Sequence, residues 1–237
     1  MKIEALYEDD FILLVNKPNN LLVHPSAYSG GRTEPTLIHY LWKQFDRNLV
    51  TLHRLDRKTS GVMIFAKDAE SARFIRLQFE NNEIKKEYLA VLRGYTSAKG
   101  EIDSPIKRAD TGEYKEALTS FETLDQIELP FPIQPYSTAR YSFVKMSPHT
   151  GRMHQLRKHA NKISHPIIGD PKYGNRHHNH YFNDELGFGN LFLHAHQLSF
   201  IHPSTKQPMH ILADIPDFWK MFFDVVNWSV EQLIEKK

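Results

Sequence analysis

The stretch His53-Arg54-Leu55-Asp56-Arg57-Lys58-Thr59-Ser60-Gly61 sets one carboxylate among three cations. It lies between two apolar runs, Leu49–His53 and Val62–Ala66, that read as strands. A polar loop joining two strands puts its charges at a strand end. Cations within about 4–6 Å of a carboxylate favour its ionised form. An ionised aspartate in such a place can act as a nucleophile, a general base or a metal ligand. It can equally be one member of a surface salt-bridge cluster, because structural ion networks perturb carboxylates too.

On the N-terminal side, Ile12–Val15 and Leu21–His24 read as short strands around the turn Asn16-Lys17-Pro18-Asn19-Asn20. Pro35 opens a helix with Leu37, Ile38, Leu41 and Trp42 on one face. On the C-terminal side, Asp68 is the expected N-cap of a helix carrying Ala72, Ile75 and Phe79. Lys86–Gly94 alternates as a strand does, with Tyr88, Ala90 and Leu92 on one side. Ala117–Leu124 and Thr138–Met146 are further strands, with a Pro-rich surface connection at Leu129–Tyr136 between them. Thr150 is the expected cap of a helix with Leu156, Ala160 and Ile163 on one face, stopped by Pro166. Leu191–Ile201 reads as an apolar strand and Asp217–Lys236 as an amphipathic helix, while Asp170-Pro171 marks a turn. Strands and helices interleave without strict β-α-β alternation. That predicts an α+β fold with a mixed, mostly antiparallel sheet, in one domain over residues 1–237.

The chain has 237 residues and no cysteine, which excludes disulfides, iron–sulfur clusters and thiolate zinc sites. No apolar run approaches the roughly 18–20 residues of a membrane span. Met1-Lys2-Ile3-Glu4 begins no signal peptide, so a soluble cytoplasmic protein with no membrane partner is expected. Basic and acidic side chains nearly balance, 30 against 28, so any polyanion partner must be argued from where charges sit. From Thr150 to Arg176 there are six basic residues (Arg152, Arg157, Lys158, Lys162, Lys172, Arg176) against one acid, Asp170. Seven of the fourteen histidines lie in or beside this stretch. Such a cluster suits a polyanion bound at one face, and it also describes a solvated helix face.

Within it, Thr150-Gly151-Arg152-Met153-His154-Gln155-Leu156-Arg157-Lys158-His159 places His154, Arg157 and Lys158 at i, i+3 and i+4, on one side of a helix. A Thr-Gly helix start exposes backbone amides to an anion. His154 and His159 are five apart with no Glu after the first, so the zinc-protease spacing is absent. The run His177-His178-Asn179-His180 reads as a flexible polar loop rather than a metal site. Neither a phosphate-binding Gly-Lys-Ser/Thr loop nor a Gly-x-Gly-x-x-Gly turn is present, so nucleotide hydrolysis and dinucleotide chemistry have no sequence support.

His53-Arg54-Leu55-Asp56-x-x-Thr59-Ser60-Gly61 resembles the signature of the RluA family of pseudouridine synthases. Four further blocks match that family in order. They are Glu8–Asp10 through Asn16-Lys17-Pro18 to Val23-His24-Pro25, and Lys86–Gly94. The others are Thr150–Arg157 with His165–Asp170, and Leu193–Ala195 with Phe200–Pro203. Asn19-Asn20 departs from the Ser-Gly or Ala-Gly turn common there. Tyr136–Tyr141 and Ser164–Asp170 are closest to a branch that modifies tRNA at position 65. The start directly at the catalytic strand, with no preceding S4-type RNA-binding module, agrees with that branch.

The resemblance implies the pseudouridine synthase fold, a central sheet flanked by helices with a central RNA-binding cleft. It implies a monomer that takes a tRNA substrate and needs no cofactor and no metal. Asp56 is the implied nucleophile, Arg157 its cationic partner, and Tyr88 the ring that stacks on the uracil. Arg54 corresponds to the residue that enters the RNA helix where the target nucleotide leaves, and Leu156 to the pocket floor. Arg152, His154, Gln155, Lys158, Lys162 and Lys172 are the candidate RNA contacts, mostly to phosphates. Rivals are a synthase acting on ribosomal RNA, a non-catalytic RNA-binding protein and an Asp-dependent hydrolase. A pure binder leaves Asp56 unexplained in a polyanion site.

Overall fold

The computed structural model describes residues 1–25, 34–45 and 49–230. Strands β1 (Glu4–Glu8) and β2 (Ile12–Lys17) are followed by helix α1 (Leu37–Gln44), β3 (Val50–Thr51), β4 (Ser60–Ala66) and helix α2 (Ala69–Glu80). Then come β5 (Lys85–Arg93), β6 (Lys99–Asp103), β7 (Ile106–Lys107), β8 (Tyr114–Lys115), β9 (Leu118–Leu129) and β10 (Ala139–Pro148). Helices α3 (Gln155–Lys162) and α4 (Arg176–His180) follow, α4 running into a π-helical turn at Tyr181–Glu185. Strands β11 (Leu193–Ile201) and β12 (Pro208–Leu212) and helix α5 (Asp217–Val225) complete the α+β architecture. The chain divides into two compact units, Met1–Lys86 with Ala195–Asp214, and Glu87–His194 with Ile215–Lys237.

In the first unit, β2 pairs antiparallel with β1 on one side and β4 on the other, and β12 pairs antiparallel with β11. Ile12 to Val15 and every residue of β4 are buried, as continuous apolar runs covered on both faces should be. Helix α2 begins as its sequence predicts: Asp68 Oδ1 accepts the Ser71 amide at 2.8 Å. The buried Gln78 on this helix acts as a short piece of strand. Its amide donates to the Ile201 carbonyl and accepts from the Ile201 N–H, at 2.9 and 2.7 Å.

Leu21–His24, expected as a strand, is not one. The Leu37 and Ile38 amides of the first turn of α1 donate to the Leu22 and Val23 carbonyls, at 2.7 and 3.3 Å. Backbone groups that a strand would spend on a neighbour here cap a helix. Trp42, expected on the apolar face of α1, is 44% exposed, while Leu37, Ile38 and Leu41 are buried.

In the second unit, β10 pairs antiparallel with β5 and with β9, and β9 with β6, while β7 and β8 form a separate hairpin. The core is aromatic: Phe143 packs edge-on to Trp219, Phe223 and Trp228, and Phe182 to Phe192. The Pro-rich connection is not a surface loop throughout. Leu129, Phe131 and Ile133 are buried in this cluster, with the Phe131 ring 4.9 Å from that of Tyr181. The histidine run expected as a loop is helix α4, capped by the Asn175 side chain on the His177 and His178 amides. Helix α5 ends at Val225, followed by Asn227 in the left-handed region; residues 231–236 of the expected helix lie outside the described residues.

Gly61 has φ +113, and a Cβ there would overlap the Ala195 carbonyl. Gly61→Ala should therefore destabilise by well over about 2–3 kcal/mol, whereas Asp68→Ala should cost about 1 kcal/mol. Urea unfolding of both variants checks the order; similar midpoints would contradict it.

Candidate active site

Candidate residues fall in both units, Arg54 and Asp56 in the first and Tyr88, Arg152, His154, Gln155, Leu156, Arg157, Lys158, Lys162 and Lys172 in the second. Each group has its own supports.

The Asp56 loop runs from the end of β3 to the start of β4. Leu55 is buried and anchors it, Asp56 is half-buried, and Arg54 is exposed. The Thr59 amide donates to the Asp56 carbonyl at 3.1 Å and closes a turn. Three residues of the 16–20 turn hold this loop from beneath. Lys17 Nζ donates to the Arg57 carbonyl at 3.1 Å, Asn19 Nδ2 to the Lys58 carbonyl, and Arg57 Nε to the Asn20 carbonyl at 3.3 Å. Arg57 itself reaches out to Glu34 at 2.8 Å. One of the three flanking cations is thus spent on another acid.

The cation that is buried beside this loop is Lys17, a residue whose sequence setting predicts only a turn. It is fully buried, and its Nζ also donates to the Pro18 and Leu21 carbonyls, at 2.9 and 2.8 Å. Burial pulls its pKa down to about 7, against the opposing pull of the Asp56 charge. The signal in the sequence is a lysine closing an apolar strand, paired in register with Gly61 of β4. His53 is held neutral by burial, with help from the Lys86 charge, its pKa pushed down to about 4. Its Nε2 accepts the Ile64 amide at 3.1 Å, as a neutral imidazole can.

In the second unit, Tyr88 sits half-buried on β5, opposite Met146 of β10. Helix α3 starts at Gln155 rather than at Thr150, capped by His154 in the left-handed region at φ +57. The Thr-Gly start is therefore not an open set of helix amides. The Arg152 amide and the Thr150 hydroxyl both donate to Gln155 Oε1, at 3.0 and 2.7 Å. Gln155 Nε2 donates to the Leu118 carbonyl and Thr119 Oγ1, both at 3.0 Å. Its amide is thus engaged on both sides inside the protein. Leu156 is buried in the core cluster. Arg152, Lys162 and Lys172 are exposed and Lys158 is half-buried.

Arg157 makes a two-pronged pair with Asp170: Nε to Oδ2 at 2.7 Å and Nη2 to Oδ1 at 2.8 Å. The side chains are 7% and 1% exposed. Burial opposes the Asp170 charge, but hydrogen bonds from Arg157 and the Tyr173 amide outweigh it and hold the carboxyl below its usual range. Asp170, expected only to mark a turn, is thus an ionic partner of Arg157 within this unit. Gly169 before it has φ +75, where a Cβ would overlap the Asn190 carbonyl, so the turn that delivers Asp170 needs glycine. Among the described residues, no group of three or more His, Cys, Asp or Glu side chains is arranged to hold a metal ion. No helix among them is long and apolar enough to cross a membrane.

Residues 11–162 match the family model described as RNA pseudouridylate synthase. The tRNA pseudouridine synthase C of Haemophilus influenzae is 42% identical over 237 residues, 96% of this chain and 99% of that one. Its counterpart in Pasteurella multocida is 38% identical over 243 residues, covering 98% and 100%. Among solved structures, human RNA pseudouridylate synthase domain containing 1 superposes with TM-score 0.70 at 26% identity, over 91% of this chain and 84% of that one. Human RNA pseudouridylate synthase domain containing 4 shares the fold, with TM-score 0.72 at 23% identity over 94% and 93%.

The Lys17 environment has a signed consequence. Lys17 titrates near 7 in the fold against 10.5 for an ordinary lysine. Between those values the unfolded chain binds more protons, so this group's contribution to stability rises with pH. Lys17→Met should cost about 2–4 kcal/mol at neutral pH by stranding three carbonyls. The difference between wild type and variant should widen in urea titrations from about pH 7 to pH 9.5. A pH-independent difference would contradict the assignment.

Proposed function

The chain belongs to the RNA pseudouridylate synthase family, and we propose that it isomerises one uridine of tRNA, at position 65, to pseudouridine. The observation that carries this reading is the end-to-end similarity to relatives named tRNA pseudouridine synthase C, matched over 99% and 100% of their own lengths. The enzyme is an isomerase: the uridine N1–C1′ bond breaks, the base turns, and a C5–C1′ bond forms. The atoms of the product are those of the substrate, with no net oxidation or reduction.

In this reading Asp56 is the nucleophile, attacking C6 of the base or C1′ of the ribose, or assisting elimination at C1′. A half-buried carboxylate on a loop braced from beneath by Lys17, Asn19 and Asn20 can meet a substrate without being free to swing away. Arg157 is its cationic partner, and Tyr88 stacks on the uracil and assists proton transfer. The target nucleotide must leave its stack, at a cost of a few kcal/mol, and Arg54 fills the gap it leaves. Leu156 gives the pocket an apolar floor. Arg152, Lys158, Lys162 and Lys172, with His154, hold phosphates and supply affinity that depends little on sequence. Gln155, also counted among the RNA-facing residues, acts through the Arg152 amide and the Thr150 hydroxyl that it holds.

The substrate test is direct. Purified protein is incubated separately with unmodified tRNA and with ribosomal RNA fragments, and new pseudouridines are located. Product at tRNA position 65 is expected; product in ribosomal RNA with none in tRNA would overturn the substrate reading and leave the family standing. Asp56→Asn should abolish turnover while tRNA affinity stays within about threefold, since binding rests on phosphate contacts. At saturating tRNA, Arg157→Ala should slow the reaction far more than Lys158→Ala. Equal losses would count against pairing Arg157 with the nucleophile.

A further inference from the structure

We infer that Asp170 and Tyr173 are positioning residues for catalysis, which lock the Arg157 guanidinium in one orientation before substrate arrives. The inference rests on the reading of Arg157 as the partner of the nucleophile and adds the machinery that aims it. A single hydrogen bond leaves a guanidinium free to rotate about it. The two parallel bonds from Nε and Nη2 to the Asp170 carboxylate fix both the direction and the plane of the group.

Asp170 is itself immobilised. Its Oδ1 accepts the Lys172 and Tyr173 amides at 2.9 and 3.0 Å, and its carbonyl accepts Asn179 Nδ2 at 2.7 Å. Tyr173 closes the arrangement from another side. The Arg157 guanidinium lies over its ring, 5.2 Å from the centroid. The Tyr173 hydroxyl is 3.0 Å from Nδ1 of His154, the left-handed residue that starts α3. Arg157, Asp170 and Tyr173 therefore each touch the other two, and the Tyr173 hydroxyl ties this triangle to His154.

Stability alone is a poor explanation for it. Helix α3 already buries Leu156, His159 and Ala160. A buried ion pair is often matched or exceeded in stability by apolar side chains of similar volume. What the pair supplies and an apolar cluster cannot is a fixed cationic fork.

The test uses single-turnover reactions with the full-length enzyme in saturating excess over unmodified tRNA. Under those conditions an unfolded fraction does not change the rate constant. Asp170→Asn should lower that rate constant about tenfold or more, with tRNA Kd within about threefold. Tyr173→Leu removes the ring and the His154 bond without stranding a buried charge. It should lower the rate constant about three- to tenfold and remains the test if Asp170→Asn does not fold. The double variant Asp170→Asn/Arg157→Ala should react no more slowly than Arg157→Ala, because the two side chains act as a unit. Wild-type rate constants for Tyr173→Leu and any folded Asp170→Asn, or losses that multiply in the double variant, would overturn the inference while the function stands. A wild-type rate for Arg157→Ala would overturn the reading of Arg157 and the inference with it.

Discussion

Taking a cation out of water costs several kcal/mol unless its donors find acceptors, and among the described residues Lys17 in one unit and Arg157 in the other are buried in this way. Lys17 meets the demand with three backbone carbonyls, Arg157 with a carboxylate. The choice of acceptor has structural consequences. Carbonyls belong to the chain path, so Lys17 can stay buried only if the 17–21 turn and the residue after Asp56 hold their course around it. A carboxylate belongs to a side chain, so Arg157 dictates where the 169–173 turn must run to deliver Asp170. Both turns are shaped around a charge, and each borders a residue assigned to catalysis.

Glycine is what lets the backbone comply. Gly61 and Gly169 both adopt positive φ, and at both a Cβ would overlap a carbonyl of another segment. The first lets β4 begin directly after the Asp56 loop. The second lets the chain reverse immediately before Asp170. A buried ion and a close backbone approach thus solve the same problem from two ends: one fixes where a turn must go, the other removes the steric bar to going there.

Legibility in the sequence follows the range of the interaction. Helix α2 could be read because its cap, Asp68, and its first amides are neighbours in the chain. Strands β2, β4 and β5 could be read because apolar runs and alternation are local patterns. Leu21–His24 was misread because its carbonyls serve amides some fifteen residues on, and no periodicity records that. The prolines around Phe131 and Ile133 point to a surface connection, yet both residues are buried, and Phe131 packs on the rings of Tyr181 and Phe182. Asp170 looked like turn punctuation for the same reason, its partner being thirteen residues away in sequence. Lys17 is partly legible, since a lysine two residues beyond the apolar run Ile12–Val15, on the same strand, calls for a buried acceptor. The five motif blocks identified the family from sequence, but they say which side chains matter and not what each one touches.

The basic stretch shows how one charge pattern divides into two uses. Six cations between Thr150 and Arg176 read as a single electropositive face. Arg157 is withdrawn from it, buried and ion-paired with the only acid in the stretch. Arg152 keeps its place at the surface but anchors its Nε on the Glu116 carbonyl at 3.0 Å. Lys162, Lys172 and Arg176 remain exposed, with Lys158 half-buried between the two groups. A solvated lysine is a point charge that suits a phosphate, whereas a guanidinium fork suits a carboxylate, which needs direction as well as charge. One run of sequence thus supplies both solvent-facing cations and a buried, carboxylate-bound guanidinium, and helix α3 carries one of each kind, Lys162 and Arg157.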